Sequence, residues 1–255
     1  GANTLTLSGG GSLVSGGLTL NNADSKLLLN SITVDNVSTT SDSLGLDVDA
    51  DSTVTSLSVA NITPVSIASG KSLSGAITVS AGSLKLNETG TLASSVSMSG
   101  GTLDADESST VSGALTQTAD ITIDVADNKT LTYSGSAISL GANMLTLSGG
   151  GSLVSGGLTL NNADSKLLLN SITLDNVSTS ANSLGIDVDN NSTITSLSVA
   201  NITPVSIATG KTLSGAITVS AGSLKLNETG TLASTIAMSG GILDADETST
   251  VSGAL

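Results

Sequence analysis

The stretch AITVSAGSLKLNETGTLASS, residues 76–95, decides the fold. Small residues separate its three short β-type runs, which are Ile77–Val79, Ser83–Leu86 and Thr91–Ala93. In the first two runs apolar residues alternate with polar ones, the two-residue period of a strand that buries one face. Gly82, Asn87 and Gly90 stand at the corners, where left-handed backbone angles cost least in such residues. The pattern predicts one turn of a parallel β-solenoid.

The rest of the chain repeats this kind of turn, and the repeat has a second, longer period. Residues 1–115 recur as residues 141–255, with 99 of the 115 aligned positions identical. Where the copies differ, the valine and leucine positions stay apolar, as when Val34 becomes Leu174, so a packed interior is retained. We therefore predict two domains. Residues 1–140 form a first solenoid unit, and residues 141–255 form a second, incomplete copy that is stacked continuously on the first.

Each 140-residue unit divides into about seven turns with a mean length of about 20 residues. Three strand runs in a turn of this length predict an all-β fold, a three-faced right-handed parallel β-helix. Neighbouring strands stack about 4.8 Å apart, so one unit would advance by roughly 34 Å. One turn alone buries too little apolar surface to offset the entropy of ordering its residues, so we expect turns to fold only as a stack.

The composition is typical of a narrow interior. The chain has no Phe, Trp, Cys, His or Arg, and its one aromatic residue is Tyr133. Leu, Ile, Val and Ala must therefore fill the core, and we expect an interior in which bulky rings would not fit. Without cysteine, disulfides and zinc-thiolate sites are excluded.

The charge excludes some classes of partner. The formal net charge is −14 at pH 7, which repels nucleic acid, so we expect no nucleic-acid partner. No apolar run approaches the roughly 18–20 residues of a membrane helix, so we expect no membrane span. No signal peptide precedes Gly1, and Gly1 falls inside a repeat. We therefore expect the chain to be a window of a longer array, or its copies to join head to tail.

The strongest polar cluster is LGLDVDADS, residues 44–52. Its acids are spaced by two, so on a strand they would share one outer face. Such carboxylates can hold Ca²⁺ through oxygen ligands, whereas a solvated acidic strand that discourages edge pairing is the interpretation we favour. The second copy has Asn191 in place of the third acid. The Ca²⁺ candidates are Asp47, Asp49, Asp51, Asp187 and Asp189; no other cofactor is expected.

Two further groups of polar residues have the same two interpretations, a site or a structural feature. A smaller acidic cluster, LDADE, occurs in both copies and is either a weak cation site or a solvated turn, of which we favour the turn. Its acids are Asp104, Asp106 and Glu107, copied as Asp244, Asp246 and Glu247. Asn-x-Ser/Thr triplets are frequent in a chain this rich in Ser and Thr, and we interpret their asparagines as corner residues that stack into ladders. They include Asn36, Asn61, Asn87 and Asn128.

The sequence argues against an enzyme. Without His, Cys or Arg, only carboxylate pairs and lysines remain for catalysis. β-Helical lyases of acidic sugars combine Ca²⁺-binding carboxylates with a basic residue, usually Arg, which this chain lacks. The carboxylates also lie in a repeated pattern and not in one unique cleft. We expect no catalytic residues.

The repeated turns, with motifs such as GSLKLNETGTLASS and NTLTLSGGGSLVSGG, resemble the passenger regions of bacterial autotransporters and filamentous-haemagglutinin-like adhesins. The resemblance covers essentially the whole chain and is architectural. It implies secretion, a right-handed β-helix, and work outside the cell or at the cell surface as a stalk or adhesive fibre.

These observations favour a structural segment of a long extracellular or cell-surface fibre, with other repeats or copies of the same protein as its partners. One alternative is an adhesive segment whose acidic outer faces bind Ca²⁺, glycans or other cells. Another is a filament subunit that polymerises end to end.

Overall fold

The computed structural model describes residues 2–255, which form parallel β-strands joined by turns and bends. Within this range no helix has the length and apolar character that crossing a membrane requires. The chain divides into two compact units, Gly1–Ser136 and Ala137–Leu255. This division falls a few residues before residue 140, where the sequence repeat ends. The domain boundary at residue 140 stays a prediction, and so does the continuous stacking of the two copies.

Each turn of unit 1 contributes one strand to a parallel sheet, called here the first sheet. Its strands in the described residues are β1 (Thr4–Ser8), β4 (Lys26–Asn30), β6 (Gly45–Val48), β8 (Ile62–Ile67), β10 (Ser83–Leu86), β13 (Thr102–Ala105) and β16 (Ile121–Val125). Residues that lie opposite each other in register are 19 to 22 positions apart, as Leu5, Leu27 and Leu46 show.

The remaining strands of unit 1 form the second sheet. They are β2 (Ser12–Leu13), β3 (Leu18–Leu20), β5 (Thr33–Thr39), β7 (Ser52–Val59), β9 (Ser72–Val79), β11 (Thr91–Leu92), β12 (Ser95–Met98), β14 (Ser109–Val111), β15 (Leu115–Gln117) and β17 (Thr130–Tyr133). This sheet bends at a corner, because the first half of β9 pairs with β11 and its second half pairs with β12. Each turn therefore has three faces. The predicted parallel β-solenoid with a repeat of about 20 residues is confirmed, while its right-handed sense stays a prediction.

Unit 2 has the same two kinds of sheet. Its first-sheet strands in the described residues are β19 (Met144–Ser148), β22 (Lys166–Asn170), β24 (Gly185–Val188), β26 (Ile202–Ile207), β28 (Ser223–Leu226) and β30 (Ile242–Ala245). Its second-sheet strands are β18 (Ile138–Ser139), β20 (Ser152–Ser155), β21 (Leu158–Leu160), β23 (Thr173–Thr179), β25 (Ser192–Val199), β27 (Thr212–Val219), β29 (Thr231–Met238) and β31 (Thr250–Val251).

Aliphatic side chains stack in columns inside each unit. In β10, Leu84 and Leu86 point inward and are buried, whereas Lys85 points outward. Leu86 belongs to a column that rises through the first sheet of unit 1, one residue from each turn. Its members, all at most 2% exposed, are Leu27, Leu46, Val65, Leu86, Ala105 and Val125. The residues in the middle of this column, such as Leu46 and Val65, are thus buried by the turns before and after their own.

Hydroxyl groups form a second kind of column, on the outside of the second sheet. In unit 1 this column contains Thr19, Ser38, Ser58, Thr78, Ser97 and Thr116. The hydroxyl oxygens of Thr19 and Ser38 lie 3.3 Å apart and are hydrogen bonded. A similar pair on the neighbouring face, Thr53 and Ser74, has a distance of 2.7 Å. Polar contacts between turns therefore supplement the buried columns.

The one aromatic residue corrects the expectation that the interior excludes rings. Tyr133 is 2% exposed at a corner of unit 1, and its phenol oxygen accepts a hydrogen bond from the backbone N–H of Leu115 at 3.0 Å. A large ring fits here because Gly135 has no side chain; a Cβ at that glycine would come within 2.5 Å of the phenol oxygen.

The first sheet contains a proline, which has no backbone N–H, and a glycine lies opposite it on the neighbouring strand. The strands can approach closely at this point because the glycine has no Cβ. Pro64 lies inside β8, which is flanked by β6 and β10, and a proline in a sheet interior disrupts the hydrogen-bonded ladder. Gly45 lies opposite it with a φ of +76°, and a Cβ at Gly45 would be 1.8 Å from the carbonyl oxygen of Pro64. Unit 2 repeats the pair at Gly185 and Pro204.

Gly45→Ala is therefore expected to destabilise the protein much more than Gly70→Ala. Gly70 has a similar φ of +73° but no atom within 4 Å of its ideal Cβ, so alanine there should cost about 1 kcal/mol of backbone strain. At Gly45 the steric clash should raise the loss to about 3 kcal/mol or more. Urea denaturation of both variants measures the difference, and equal losses would contradict the close-packing argument.

Candidate functional site

The first acid of the LGLDVDADS cluster forms an ion pair with a neighbouring turn. Asp47 points outward from β6, and its carboxylate Oδ2 lies 2.6 Å from the Nζ of Lys26 on the adjacent strand β4. The corresponding pair in unit 2, Asp187 and Lys166, has a distance of 2.5 Å. The same contact between consecutive turns thus occurs in both units.

The other two acids of this cluster lie in the following turn. Strand β6 ends at Val48, so the prediction that all three acids share one strand face is wrong. Asp49 is exposed in the turn. Asp51 accepts hydrogen bonds at Oδ1 from the backbone N–H of Ser72 at 2.8 Å and from its hydroxyl at 3.1 Å. Asp51 therefore caps the start of β9, one turn further along.

Unit 2 shows that this cap does not need a charge. Asn191 replaces the acid, and its Oδ1 accepts a hydrogen bond from the backbone N–H of Thr212 at 3.0 Å. Asp189 is exposed in the turn, like its counterpart Asp49. A neutral oxygen acceptor is sufficient at this position, whereas a calcium ligand set would be weakened by the lost charge.

The LDADE cluster is also tied to the neighbouring turns. In unit 1 the Nζ of Lys85 lies 2.8 Å from Asp104 and 3.1 Å from Asp106. Glu107 pairs with Lys129 at 2.6 Å. In unit 2 the Nζ of Lys225 lies 3.6 Å from Asp244 and 3.1 Å from Asp246. The lysines on these outer faces therefore serve as partners of the clustered acids.

The pKa values of Lys85 and Asp104 are both raised, for different physical reasons. The pKa of Lys85 lies above its ordinary value because Asp104 accepts a hydrogen bond from the ammonium, although burial opposes this shift. The pKa of Asp104 also lies above its ordinary value, because burial disfavours its charged form and the charges of Asp106 and Asp124 add to that, against the effect of Lys85. Two carboxylates share one ammonium. The charged form of Lys85 is therefore stabilised, whereas the charged form of Asp104 remains disfavoured by burial and by the neighbouring acids.

An acid outside the predicted candidates makes a more complete set of contacts. Asp35 accepts hydrogen bonds from the backbone N–H groups of Ser15 at 3.0 Å and Gly16 at 3.0 Å, and from the Ser15 hydroxyl at 2.9 Å. A backbone hydrogen bond from Asn36, together with these bonds, lowers the pKa of Asp35, which burial opposes. Asp175 holds Ser155 in the same way in unit 2. Alternation alone does not reveal this cap, because it depends on which turn lies alongside.

Within residues 2–255, no group of three or more acidic, histidine or cysteine side chains is arranged to hold a metal ion. Ca²⁺ binding by Asp47, Asp49, Asp51, Asp187 and Asp189 therefore stays a prediction, without a preformed cluster in the described part of the chain to support it.

Asparagine stacking occurs at Asn190, which begins an Asn-x-Ser triplet of the second copy and is not one of the four asparagines named above. The amide of Asn190 donates a hydrogen bond to Oδ1 of Asn170 at 2.6 Å, between consecutive turns of unit 2. Asn61, by contrast, donates to the backbone carbonyl of Thr39 at 3.3 Å. Asn128 occupies a tight turn with a φ of +61°. One asparagine pair therefore stacks between turns as predicted, whereas Asn61 bonds to the backbone of another turn instead.

Comparison with protein-family models, with curated proteins and with solved structures finds no match to this chain. The chemistry of the site must accordingly be inferred from its geometry. In the contacts described above, carboxylates and lysines connect one turn to the next, and equivalent residues do so in both units.

Asp51→Asn is expected to leave the free energy of unfolding within about 0.5 kcal/mol of the wild type, because Asn191 already makes the equivalent cap. Asp51→Ala removes the acceptor and should cost about 1 kcal/mol. Chemical denaturation of the two variants separates the effect of the hydrogen bond from that of the charge. A large loss in Asp51→Asn would show that the charge itself is required.

The pH dependence of two acid variants should differ in sign. The folded-state pKa of Asp104 is raised from 3.8, so its contribution to stability falls as pH rises through the folded pKa. The pKa of Asp35 is lowered from 3.8, so its contribution is present above that value and is lost as pH falls through the folded pKa. Across a pH window that spans 3.8, Asp104→Asn should therefore gain stability relative to the wild type as pH rises above 3.8, whereas Asp35→Asn should lose stability relative to the wild type as pH rises toward 3.8 from below.

Urea denaturation at several pH values across this window measures both trends. Parallel pH profiles for Asp104→Asn and Asp35→Asn would contradict the assignment of burial to one acid and backbone capping to the other.

Proposed function

We propose that this chain is a structural, non-catalytic segment of a long extracellular or cell-surface β-solenoid fibre, such as a stalk, a matrix filament or the shaft of an adhesin. The observation that carries the proposal is the repeated use of charged side chains as bridges between turns. Asp47 pairs with Lys26 and Asp187 with Lys166. The charged side chains that could bind a ligand or act in catalysis therefore hold neighbouring turns together.

The contacts between turns suit a spacer. Parallel backbone pairing, buried aliphatic columns and outer hydrogen bonds act together along each unit. In a repeat protein each turn is stabilised by its nearest neighbours, so length can be added turn by turn without a new core. A net charge of −14 keeps such a particle soluble and discourages non-specific association of copies through its acidic surface.

The resemblance to autotransporter passengers and filamentous-haemagglutinin-like adhesins supports the extracellular part of the proposal. It rests on the repeated x-Leu-x-Leu strands and the Gly and Asn corners, as in GSLKLNETGTLASS. These features accord with a secreted shaft, in which proteolytic resistance comes from a backbone that is hydrogen bonded throughout its strands.

The adhesive alternative, binding of Ca²⁺ or glycans through acidic faces, receives less support. Asp47 and Asp104 each lie within 2.8 Å of a lysine Nζ, and a cation would have to displace that lysine. Under our proposal the melting temperature should be the same in millimolar Ca²⁺ as in millimolar Mg²⁺. A Ca²⁺-specific increase, abolished by Asp47→Asn, would favour the adhesive segment, since a ligand bound only by the folded form must stabilise it.

Immunogold electron microscopy of source cells, with antibody raised against the 255-residue chain, tests the location and form. We expect label on thin fibres outside the cell, with an axial repeat near the roughly 34 Å expected for seven stacked strands. Pre-immune serum provides the control. Label confined to the cytoplasm would contradict the proposal.

A further inference from the structure

Strands β13 and β16 place two carboxylates directly opposite each other in unit 1. Asp104 and Asp124 are register partners in these parallel strands, and each side chain points outward between buried apolar neighbours. Neighbouring strands of a sheet lie about 4.8 Å apart. Two ionised carboxylates at this position therefore repel each other and weaken the contact between the two turns.

This like-charge contact is specific to β13 and β16. In the other registers of the described first-sheet strands, each charged residue lies opposite a neutral residue or one of opposite charge. Asp47, for example, lies opposite Leu28 and Ser66, and Lys85 lies opposite Pro64 and Asp104. Repulsion between facing strands is thus concentrated at one level of the stack.

The compensating positive charge lies on one side of the pair. On the β10 side, the Nζ of Lys85 lies 2.8 Å from Asp104 and 3.1 Å from Asp106, which follows β13 in the turn. Asp124 lies on the opposite side of Asp104, one strand further from this lysine. The ammonium therefore attracts Asp104 from one neighbouring strand, while Asp124 repels it from the other.

The other charged groups near these strands lie in the turns. Glu107 pairs with Lys129 at 2.6 Å. Glu88 follows β10, and Asp120 and Asp127 lie just beyond the two ends of β16; all three are exposed to solvent. Residues 130–163 contain no Asp, Glu or Lys. On the strands packed against β13, the charged residues that face Asp104 are therefore Lys85 and Asp124.

Burial makes the repulsion stronger than it would be in open solvent. The side chain of Asp104 is 16% exposed, so water screens its charge incompletely. Burial raises the pKa of Asp104, and the charges of Asp106 and Asp124 add to this rise, against the effect of Lys85. A carboxyl whose pKa is raised by folding binds a proton more tightly when its strand is in place, so acid favours the closed contact.

We propose that Asp104 and Asp124 form a pH-sensitive contact between β13 and β16, weak when both are ionised and strengthened by acid. As pH falls, one carboxylate of the pair takes a proton from solvent, and its O–H then donates a hydrogen bond to the other carboxylate. A charge-assisted hydrogen bond replaces the repulsion, and the two acids titrate as one pair. The contact lies within unit 1, so the proposal is independent of where the protein acts.

Hydrogen exchange of Asp124→Asn and of the wild type, measured on the 255-residue chain, tests the proposal. Asparagine keeps the size of the side chain and removes its charge. At pH 7, peptides within residues 102–125 should be about two- to fivefold more protected in Asp124→Asn, the usual effect of a cross-strand pair. At a pH just below 3.8, the ordinary value for aspartate, this difference should vanish, because the wild-type pair then shares a proton. Comparison at equal pH cancels the titration of the other acids.

Asp47→Asn is the matched control. It removes the same charge from the same sheet, but Asp47 forms an ion pair with Lys26 at 2.6 Å. If relief of the net charge of −14 were the cause of the gain, both variants would show it. We expect Asp47→Asn to leave the protection of residues 102–125 as in the wild type at pH 7.

A double variant identifies the partner of Asp124. In an Asp104→Asn background the like-charge pair is already absent, so adding Asp124→Asn should give no further protection of residues 102–125. The difference between the two backgrounds isolates the interaction of this pair.

Several results would overturn the inference. Protection in Asp124→Asn at pH 7 that equals or falls below that of the wild type would show that the facing charges do not weaken the contact. A gain that Asp47→Asn shares would indicate relief of net charge, and one that persists below pH 3.8 or without Asp104 would indicate another cause. None of these results would bear on the extracellular location, so the proposed function can stand when the pH-sensitive contact fails.

Discussion

Stacking of one turn on the next is the interaction on which the rest of this structure depends. The strand pairs described above join residues of different turns, whose backbone partners lie about 20 residues away. The aliphatic residues follow the same rule, since Leu46 is covered by Leu27 on one side and Val65 on the other. A turn of this sequence therefore has neither a sheet nor a core until it has neighbours.

This dependence explains the arrangement of polar side chains. Corners are the places where a stack of strands leaves backbone groups without partners, and buried or crowded polar groups must be satisfied. Asp51 and Asp35 satisfy such groups, because their carboxylates accept hydrogen bonds from backbone N–H groups of another turn. Lysines neutralise acids that the stacking brings close together, as at Lys85. Asp47, Asp51 and Asp104, which suggest a binding site in the sequence, are thus parts of the contact between turns.

Strand alternation allowed much of the fold to be predicted. The run Ser83–Leu86 is strand β10 with the same bounds, and Ile77–Val79 lies inside β9. Alternation does not show where a strand ends, so it placed Asp49 and Asp51 on a strand that stops before them. It also does not fix the register between turns, which determines that Asp35 reaches Ser15.

The interior was predicted less well than the strands. A composition poor in aromatics indicates a narrow core on average, yet the corner around Tyr133 accommodates a ring because a glycine lies beside it. Such local space depends on which residues meet across a corner, and composition contains no information on that. The prediction that Asp47, Asp49 and Asp51 share one strand face was wrong because the strand ends at Val48, so the two-residue spacing places only the first of these acids on it.

Hydrogen exchange at two nearly identical segments tests the dependence on stacking most directly. Residues 5–13 and 145–153 have the same sequence, and the peptides that extend to Thr4 and Met144 differ in mass. Leu5 is 45% exposed at the edge strand β1, whereas Leu145 is fully buried. We expect the peptide containing Met144 to exchange much more slowly than the peptide containing Thr4. The two peptides have nearly the same intrinsic exchange rates, so the difference reports how far each strand is buried and hydrogen bonded. Equal exchange in both peptides, measured on the monomeric chain, would contradict the account.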